Sequence, residues 1–484
     1  MFSNRGYEAV IGLEVHVQLK TQSKIFSADS TTFDAGDNEN TSPISVGMPG
    51  TLPVVNRLVI DYSIKTGLAL GCKIRKCSVF SRKNYFYPDL PKGYQISQYD
   101  LPICEDGEIT FLVNGKDNVN YEKTVSITRA HMEEDAGKSI HHGDFTLINY
   151  NRAGVPLLEI VSGPDMHSAH EAAEYGRAIR QIVRFLDVCD GNLEEGSMRC
   201  DCNVSVRKVG VETLGTKVEI KNVNSFRFVE KAIEYEIDRQ IDEIESGKKI
   251  IQETRLYDPD KNRTFSMRLK ENAQDYRYFP DPDLLPIIIT DTEIEKIKRT
   301  LPELPIARAK RFHVTLGLPT SDATVLTDEK ELADYFEIVA TVCKNAKASA
   351  NWVMVELLRE LHANKLNIGS SPIKPEYLGQ LISLIDNGII SGKIGKTVFS
   401  EMWKTSNPPE QIVKEKGFVQ VSDAVAIEKM IDQVLAANES QVAEYRAGKT
   451  KVFGFFIGAA MKASKGQANP DIVNEILKKK LDQA

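Results

Sequence analysis

The residues of greatest chemical interest are carboxylates on strand-like segments. Along Tyr7 to Leu19, Ile11, Leu13, Val15, Val17 and Leu19 share one parity, while Glu14, His16 and Gln18 share the other. That alternation is what a half-buried strand requires, so Glu14 and His16 point to one face. The pattern recurs from Asp201 to Arg207, where Cys202, Val204 and Val206 oppose Asp201, Asn203, Ser205 and Arg207. In Lys217 to Lys221, Val218 and Ile220 oppose Lys217, Glu219 and Lys221. Between these segments lie His131-Met132-Glu133-Glu134-Asp135-Ala136-Gly137-Lys138, Glu159 inside the apolar run Leu157 to Val161, and Glu194-Glu195 before Gly196.

A carboxylate within an apolar strand is costly unless it is paired or bound to a cation. Taken singly, each of these acids is more simply a solvated strand face or a surface turn. Their recurrence on separate strand-like segments instead suggests convergence on a cation. Oxygen donors with one imidazole suit Mg²⁺ or Mn²⁺ better than tetrahedral zinc, and Mg²⁺ suggests a nucleotide.

Other signals are weaker. Gly392-Lys393-Ile394-Gly395-Lys396-Thr397 ends like a phosphate-binding loop, but Ile390 stands where that motif needs its first glycine, and the stretch reads as a turn with two exposed lysines. Cys200 and Cys202 share parity with Val204 and Val206 and so belong to the core rather than to a metal site. No Gly-x-Ser-x-Gly elbow or other nucleophile with its base is evident, so the chain is not expected to make ammonia.

The elements that must position these residues fall into three blocks. With 484 residues, 42% hydrophobic and 27% charged, the chain exceeds the size at which single cores stop growing. Residues 1–294 read as an α+β catalytic body, with helices from Ser168 to Leu186 and from Phe226 to Ile244. Pro302 and Pro305 open an all-helical domain, 295–406, and Asn407-Pro408-Pro409 opens a small helical tail domain, 407–484. The 61 Lys and Arg against 68 Asp and Glu leave a formal charge of -7, so any RNA contact must be local. Seven cysteines without a regular framework read as free thiols of a reducing compartment. With no signal or transit pattern and no run approaching about 18 apolar residues, a cytoplasmic protein without a membrane span is expected.

Several stretches carry a family resemblance. Val10 to His16, Arg82 to Gln98 (RKNYFYPDLPKGYQISQ), His131 to Lys138, Asn151 to Ile160, Glu194 to Cys202, Lys217 to Phe226 and Asp275 to Pro280 closely resemble the B subunits of GatCAB aspartyl/glutamyl-tRNA amidotransferases. Gly454, Phe455, Gly458, Met461 to Gly466 and Ala468-Asn469-Pro470 resemble the tail of the same family, so the likeness runs from near residue 7 to the end.

The resemblance implies a first domain with the antiparallel-sheet fold of glutamine synthetase and guanido kinases, and a reaction. In the family, the B subunit uses ATP and Mg²⁺ to phosphorylate the side-chain carboxylate of Glu on tRNA(Gln) or Asp on tRNA(Asn). Ammonia from the glutaminase, the A subunit, then displaces phosphate, and the C subunit completes the complex. Glu14, His16, Glu133, Glu134, Glu159, Glu219 and Lys221 are expected at the catalytic site, with Glu14, His16, Glu134 and Glu219 as metal ligands. Arg152, Arg199 and Asp201 are expected to contact ATP or substrate.

Tyr85, Tyr87 and Lys92, with Phe86, Tyr94 and Lys83, either stack on the terminal adenosine of tRNA or fill a core edge. Residues 445–484 hold eight Lys or Arg against three acids, 8 - 3 = +5, which suits either a tRNA-contacting module or a solvated helix. Some family members carry cysteine pairs for structural zinc near the start. This chain has no cysteine before Cys72 and Ser27 lies in that region, so no structural zinc is expected. Gly163 occupies a turn where many relatives are expected to carry an acid.

Two other readings compete: a stand-alone ligase using free ammonia, against which the tail domain argues, and a tRNA-binding scaffold, which would leave the polar face around Glu14, His16 and Glu219 without a purpose.

Overall fold

The computed structural model describes residues 5–115, 120–269, 276–418, 424–464, 468 and 470–482. Asp275, Lys465, Gly466 and Asn469, which contribute to the family resemblance, lie outside the described residues. The chain forms two compact units, Met1–Arg308 and Ala309–Ala484.

The first unit is built on one large sheet. Its strands, numbered in chain order, are β1 (Tyr7–Gln18), β2 (Lys73–Ile74), β3 (Cys104–Val113), β4 (Tyr121–Glu134), β5 (Pro156–Ser162), β6 (Met198–Lys208), β7 (Val218–Val223), β8 (Glu253–Asp258) and β9 (Arg263–Leu269). Across the sheet they run β9-β8-β7-β6-β1-β5-β4-β3-β2, so the first strand of the chain lies at the centre. Neighbours pair antiparallel except β7 with β8, which are parallel.

Alternation decides which face is covered. Ile11, Leu13, Val15 and Val17 of β1, Leu158 and Ile160 of β5, and Cys200, Cys202 and Val204 of β6 are all buried in one core. The helices α1 (Arg57–Ala69), α2 (Ala169–Phe185) and α3 (Phe226–Glu245) supply residues to that core, including Ile64, Ile179 and Ile233. Leaving each of these apolar side chains exposed would cost about 1.5–3 kcal/mol. The opposite face is therefore free to carry the polar residues.

Both expected helices form, and each starts at a serine whose hydroxyl accepts from the third helical N–H: Ser168 from Glu171 and Ser225 from Phe228. Helix α1 is not apparent in the residue pattern. Val59, Ile60, Ile64 and Thr66 are β-branched and favour strand locally, yet they are buried under the sheet, so packing outweighs propensity. At Gly163 an added Cβ would collide with Ser126 Oγ and Asp165 Oδ2, so the acid expected in relatives would require these two side chains to move.

Near the chain start, Ser27 Oγ lies 3.1 Å from Ser45 Oγ, and the Ser45 hydroxyl donates to Asp29. This loop is thus held by hydroxyl and carboxylate hydrogen bonds.

The named elements of the second unit are all helices, and they hold two separate cores. One spans Phe312 to Val413, with Ile412 and Val413 supplied by the helix Pro409–Lys416. The other spans Ile427 to Leu481. Gly392–Thr405 is a helix capped by Ser391, so Gly392 to Thr397 form helical turns rather than the expected loop-like turn.

Candidate active site

The polar face of the sheet aligns the expected residues across strands distant in sequence. His131 of β4 lies directly opposite Glu159 of β5, Glu159 opposite His16 of β1, and His16 opposite Arg199 of β6. Two residues along, Glu14 is opposite Asp201, and Asn203 is opposite Glu219 of β7. Directly opposed residues share a face, so these side chains converge.

Two groups of donor atoms result. His16, Glu133 and Glu159 offer donors that all lie within 4.8 Å of one another, as do Glu14, Asp201 and Glu219. In the first, His16 Nε2 is 3.3 Å from Glu159 Oε2 and 3.5 Å from Glu133 Oε1. In the second, Asn203 donates to Glu14 at 2.9 Å and Thr254 donates to Glu219 at 2.7 Å. Lys221 Nζ reaches Asp201 at 2.5 Å and Glu219 at 3.1 Å.

The electrostatics express crowded negative charge. Burial alone would lower the His16 pKa, but Glu159 and Glu133 outweigh it and push the imidazole up to about 9. Burial raises Glu133 to about 7, helped by repulsion from Glu159. Burial would likewise raise Glu159, but His131, His16 and Lys83 hold it below the usual carboxylate range. Burial and then Glu159 raise Glu14. His131 falls to about 4, mainly through burial. The donors, five carboxylates and an imidazole, fit hard divalent cations in number and kind.

A basic pair flanks the first group. Asp135, buried at 5% exposure, forms ion pairs with Arg152, whose Nε is 3.1 Å from Oδ2, and with Arg199, a terminal nitrogen of which is 3.0 Å from the same oxygen. Arg152 also donates to the carbonyls of Ala136 and Gly137 at 3.1 and 2.9 Å. One carboxylate thus fixes two guanidiniums and leaves a net positive charge for an anion.

Not every expected residue joins the site. Glu134 does not join either donor group: it follows Glu133 on β4 and so projects to the other face, where its carboxylate takes the Lys92 ammonium and the Ile96 N–H. Lys92 is correspondingly committed to Glu134 and lines a neighbouring pocket with Lys24, Phe26, Ser45 and Tyr94. Asp201, expected at the nucleotide, sits among the potential cation donors instead.

Tyr85 is largely enclosed, its hydroxyl on Gln95 and its ring 6.0 Å from Tyr276, whereas Phe86 and Tyr87 are exposed. Lys83 Nζ lies 5.0 Å above the Tyr276 ring, and Glu133 leads the nearby charges that raise its pKa against burial.

His131, Asn203, Asp135 and Thr254 also belong to the site, beyond the residues to which the sequence alone assigns a role. Parity offered a signal for two of them, since His131 shares it with Glu133 and Asn203 with Asp201. Thr254 comes from the parallel partner of β7, which has no local signal.

A sheet face with two clusters of oxygen-rich donors, a pinned arginine pair and a lysine has the groups that could hold divalent cations beside a phosphate or carboxylate. Residues 9–295 match the family model of the GatB/GatE catalytic domain, and residues 334–481 match that of the GatB domain. The B subunit of the aspartyl/glutamyl-tRNA(Asn/Gln) amidotransferase from Bdellovibrio bacteriovorus is 72% identical, over 99% of this chain and 100% of its own length. The proteins of that name from Geotalea daltonii and Geobacter sulfurreducens are each 57% identical, over 98% of this chain and 99% of their own. The chain belongs to the family of aspartyl/glutamyl-tRNA(Asn/Gln) amidotransferase B subunits, which are ATP-using members of the glutamine-hydrolysing aminoacyl-tRNA amidotransferases.

Proposed function

We propose that the polar sheet face is where ATP phosphorylates the side-chain carboxylate of glutamate or aspartate esterified to tRNA(Gln) or tRNA(Asn). The convergence of Glu14, Asp201 and Glu219 beside His16, Glu133 and Glu159 carries this reading, together with family membership. A substrate carboxylate oxygen bonds to the γ-phosphorus as the bond to ADP breaks. Ammonia then bonds to the carbonyl carbon, the carbon–oxygen bond to phosphate breaks, and the amide is left after proton loss.

The two donor groups would hold Mg²⁺, which when bound neutralises charge on the phosphate oxygens. Arg152 and Arg199, oriented by Asp135, receive anionic oxygens of ATP or substrate. Lys221 holds Asp201 and Glu219 in place from one side of their cluster. The glutaminase (A) protein of the complex supplies ammonia and the small C protein completes the trimer, in the cytoplasm.

The first unit acts as the catalytic domain, the core from Phe312 to Val413 as a helical domain and the core from Ile427 to Leu481 as a tail domain. In the tail, helices Phe453–Ala463 and Pro470–Asp482 carry Lys462, Lys478 and Lys479, cations suited to the tRNA backbone. Exposed Phe86 and Tyr87 offer rings on which a terminal adenine can stack.

The test is amide formation on Glu-tRNA(Gln) with ATP, Mg²⁺ and either glutamine or ammonium chloride, by the chain co-expressed with its A and C partners. Wild-type trimer should use both nitrogen sources, and Glu14→Ala or Glu219→Ala should abolish ATP-dependent phosphorylation. Full activity in both variants would remove the sheet face from the mechanism.

A further inference from the structure

We infer that His131 is a positioning residue: its Nε2–H holds Glu159 in the orientation needed by a cation shared among His16, Glu133 and Glu159. This rests on that donor group being a cation site.

The geometry poses a conflict that His131 resolves. Glu159 Oε2 is approached by two imidazole nitrogens, His16 Nε2 at 3.3 Å and His131 Nε2 at 3.4 Å. An imidazole nitrogen coordinates a cation only through its lone pair, so His16 Nε2 cannot donate to Glu159 and coordinate at once. Once His16 turns to a cation, Glu159 loses that hydrogen bond in a buried setting.

His131 has no such second duty. It lies outside the donor atoms that close around one ion, and it is 4% exposed. Its Nδ1 is buried without a hydrogen-bond partner among the described residues, whereas Nε2 faces the carboxylate. The proton therefore belongs on Nε2, which lies 3.4 Å from Glu159 Oε2. Strand pairing fixes the approach, because His131 and Glu159 are directly opposed on β4 and β5. Carboxylates that bind metal ions need such a donor to fix their lone pairs, and losing it typically costs about 10–100-fold in metal affinity.

The decisive comparison uses side chains that place an N–H at different distances. The glutamine amide nitrogen lies as many bonds from Cβ as His131 Nε2, while that of asparagine corresponds to Nδ1. Mn²⁺ binding to the assembled trimer is followed by electron paramagnetic resonance, without ATP or tRNA, for wild type, His131→Gln, His131→Asn, His131→Leu and His16→Ala. Melting temperatures verify that each variant is folded.

His131→Asn and His131→Leu should weaken one class of bound Mn²⁺ by roughly 10–100-fold, while His131→Gln stays within about threefold of wild type. Wild-type affinity in the asparagine or leucine variant overturns the inference. So does a glutamine variant as weak as leucine, which would make ring packing the operative feature. Should leucine not fold, asparagine against glutamine decides alone. If His16→Ala leaves Mn²⁺ binding unchanged, the cation site itself is wrong. If His16→Ala loses the ion while all three His131 variants keep it, only the role of His131 falls.

Discussion

Glu133 and Glu134 are consecutive on β4, yet their carboxylates serve opposite sides of the sheet. Glu133 meets His16 at 3.5 Å, whereas Glu134 is taken by Lys92 and by the Ile96 N–H at 2.8 Å. The strand period of two separates them, so two adjacent and chemically identical residues must differ in their effect on cation binding.

Glu133→Gln should weaken Mn²⁺ binding by at least about tenfold, whereas Glu134→Gln should leave it within a few-fold of wild type. Titration of both trimers with Mn²⁺ checks this. Equal losses would mean that Glu134 reaches the ion after all.

Glu236 on α3 is fully buried and holds two arginines: Arg239 at 2.6 Å and Arg255 at 3.5 Å, with Thr264 and Gln240 also donating to it. Glu236→Ala would leave both guanidiniums facing a gap. The expected loss is about 3–5 kcal/mol, because Arg239 is left without its carboxylate and Arg255 keeps only that of Glu253. Denaturant unfolding of the purified chain measures it, and a loss below about 1 kcal/mol would show that water replaces the carboxylate.

Lys24 gives a pH signature. Its ammonium is buried and donates to the Asn40 carbonyl at 2.6 Å, and burial lowers its pKa from 10.5 to about 8. Between those values the unfolded chain holds a proton that the folded chain has released. Stability due to Lys24 therefore rises with pH across that window, and below about 8 the full cost of burying the charge is present. Lys24→Met does not titrate. From pH 8 to pH 10 the stability difference should move toward wild type, by an amount on the order of 2–3 kcal/mol. A difference independent of pH would place the Lys24 pKa near its ordinary value.

Thiol reactivity should be strongly graded. Cys77 is exposed and Cys343 half-buried, while Cys72, Cys104, Cys189, Cys200 and Cys202 are buried. Burial raises Cys72, Cys189 and Cys200 to about 12, which suppresses their thiolates. A disulfide reagent should titrate Cys77 quickly, Cys343 more slowly and the other five only after unfolding. Rapid reaction of more than two thiols in the native chain would contradict the burial of the other five.

What the sequence determined by itself was local. Alternation fixed that Glu14 goes with His16, and Glu219 with Lys221, because a strand's two sides follow from its own period. Ser168 and Ser225, each followed by an amphipathic run, fixed where α2 and α3 begin. Ordered family motifs carried the reaction, since long matches constrain far more than composition does.

Tertiary structure alone decided which strands are neighbours. That β1 lies between β5 and β6, that His131, Glu159, His16 and Arg199 form one line, and that Thr254 comes to Glu219 by a parallel pairing are facts of register between distant segments. No local pattern encodes register, because the hydrogen bonds of a sheet edge accept any partner until side-chain packing selects one. The same non-local packing makes α1 a helix against the β-branched preference of its residues. It also leaves Glu134, paired with Lys92, outside the two donor groups and brings Asp201 into one of them.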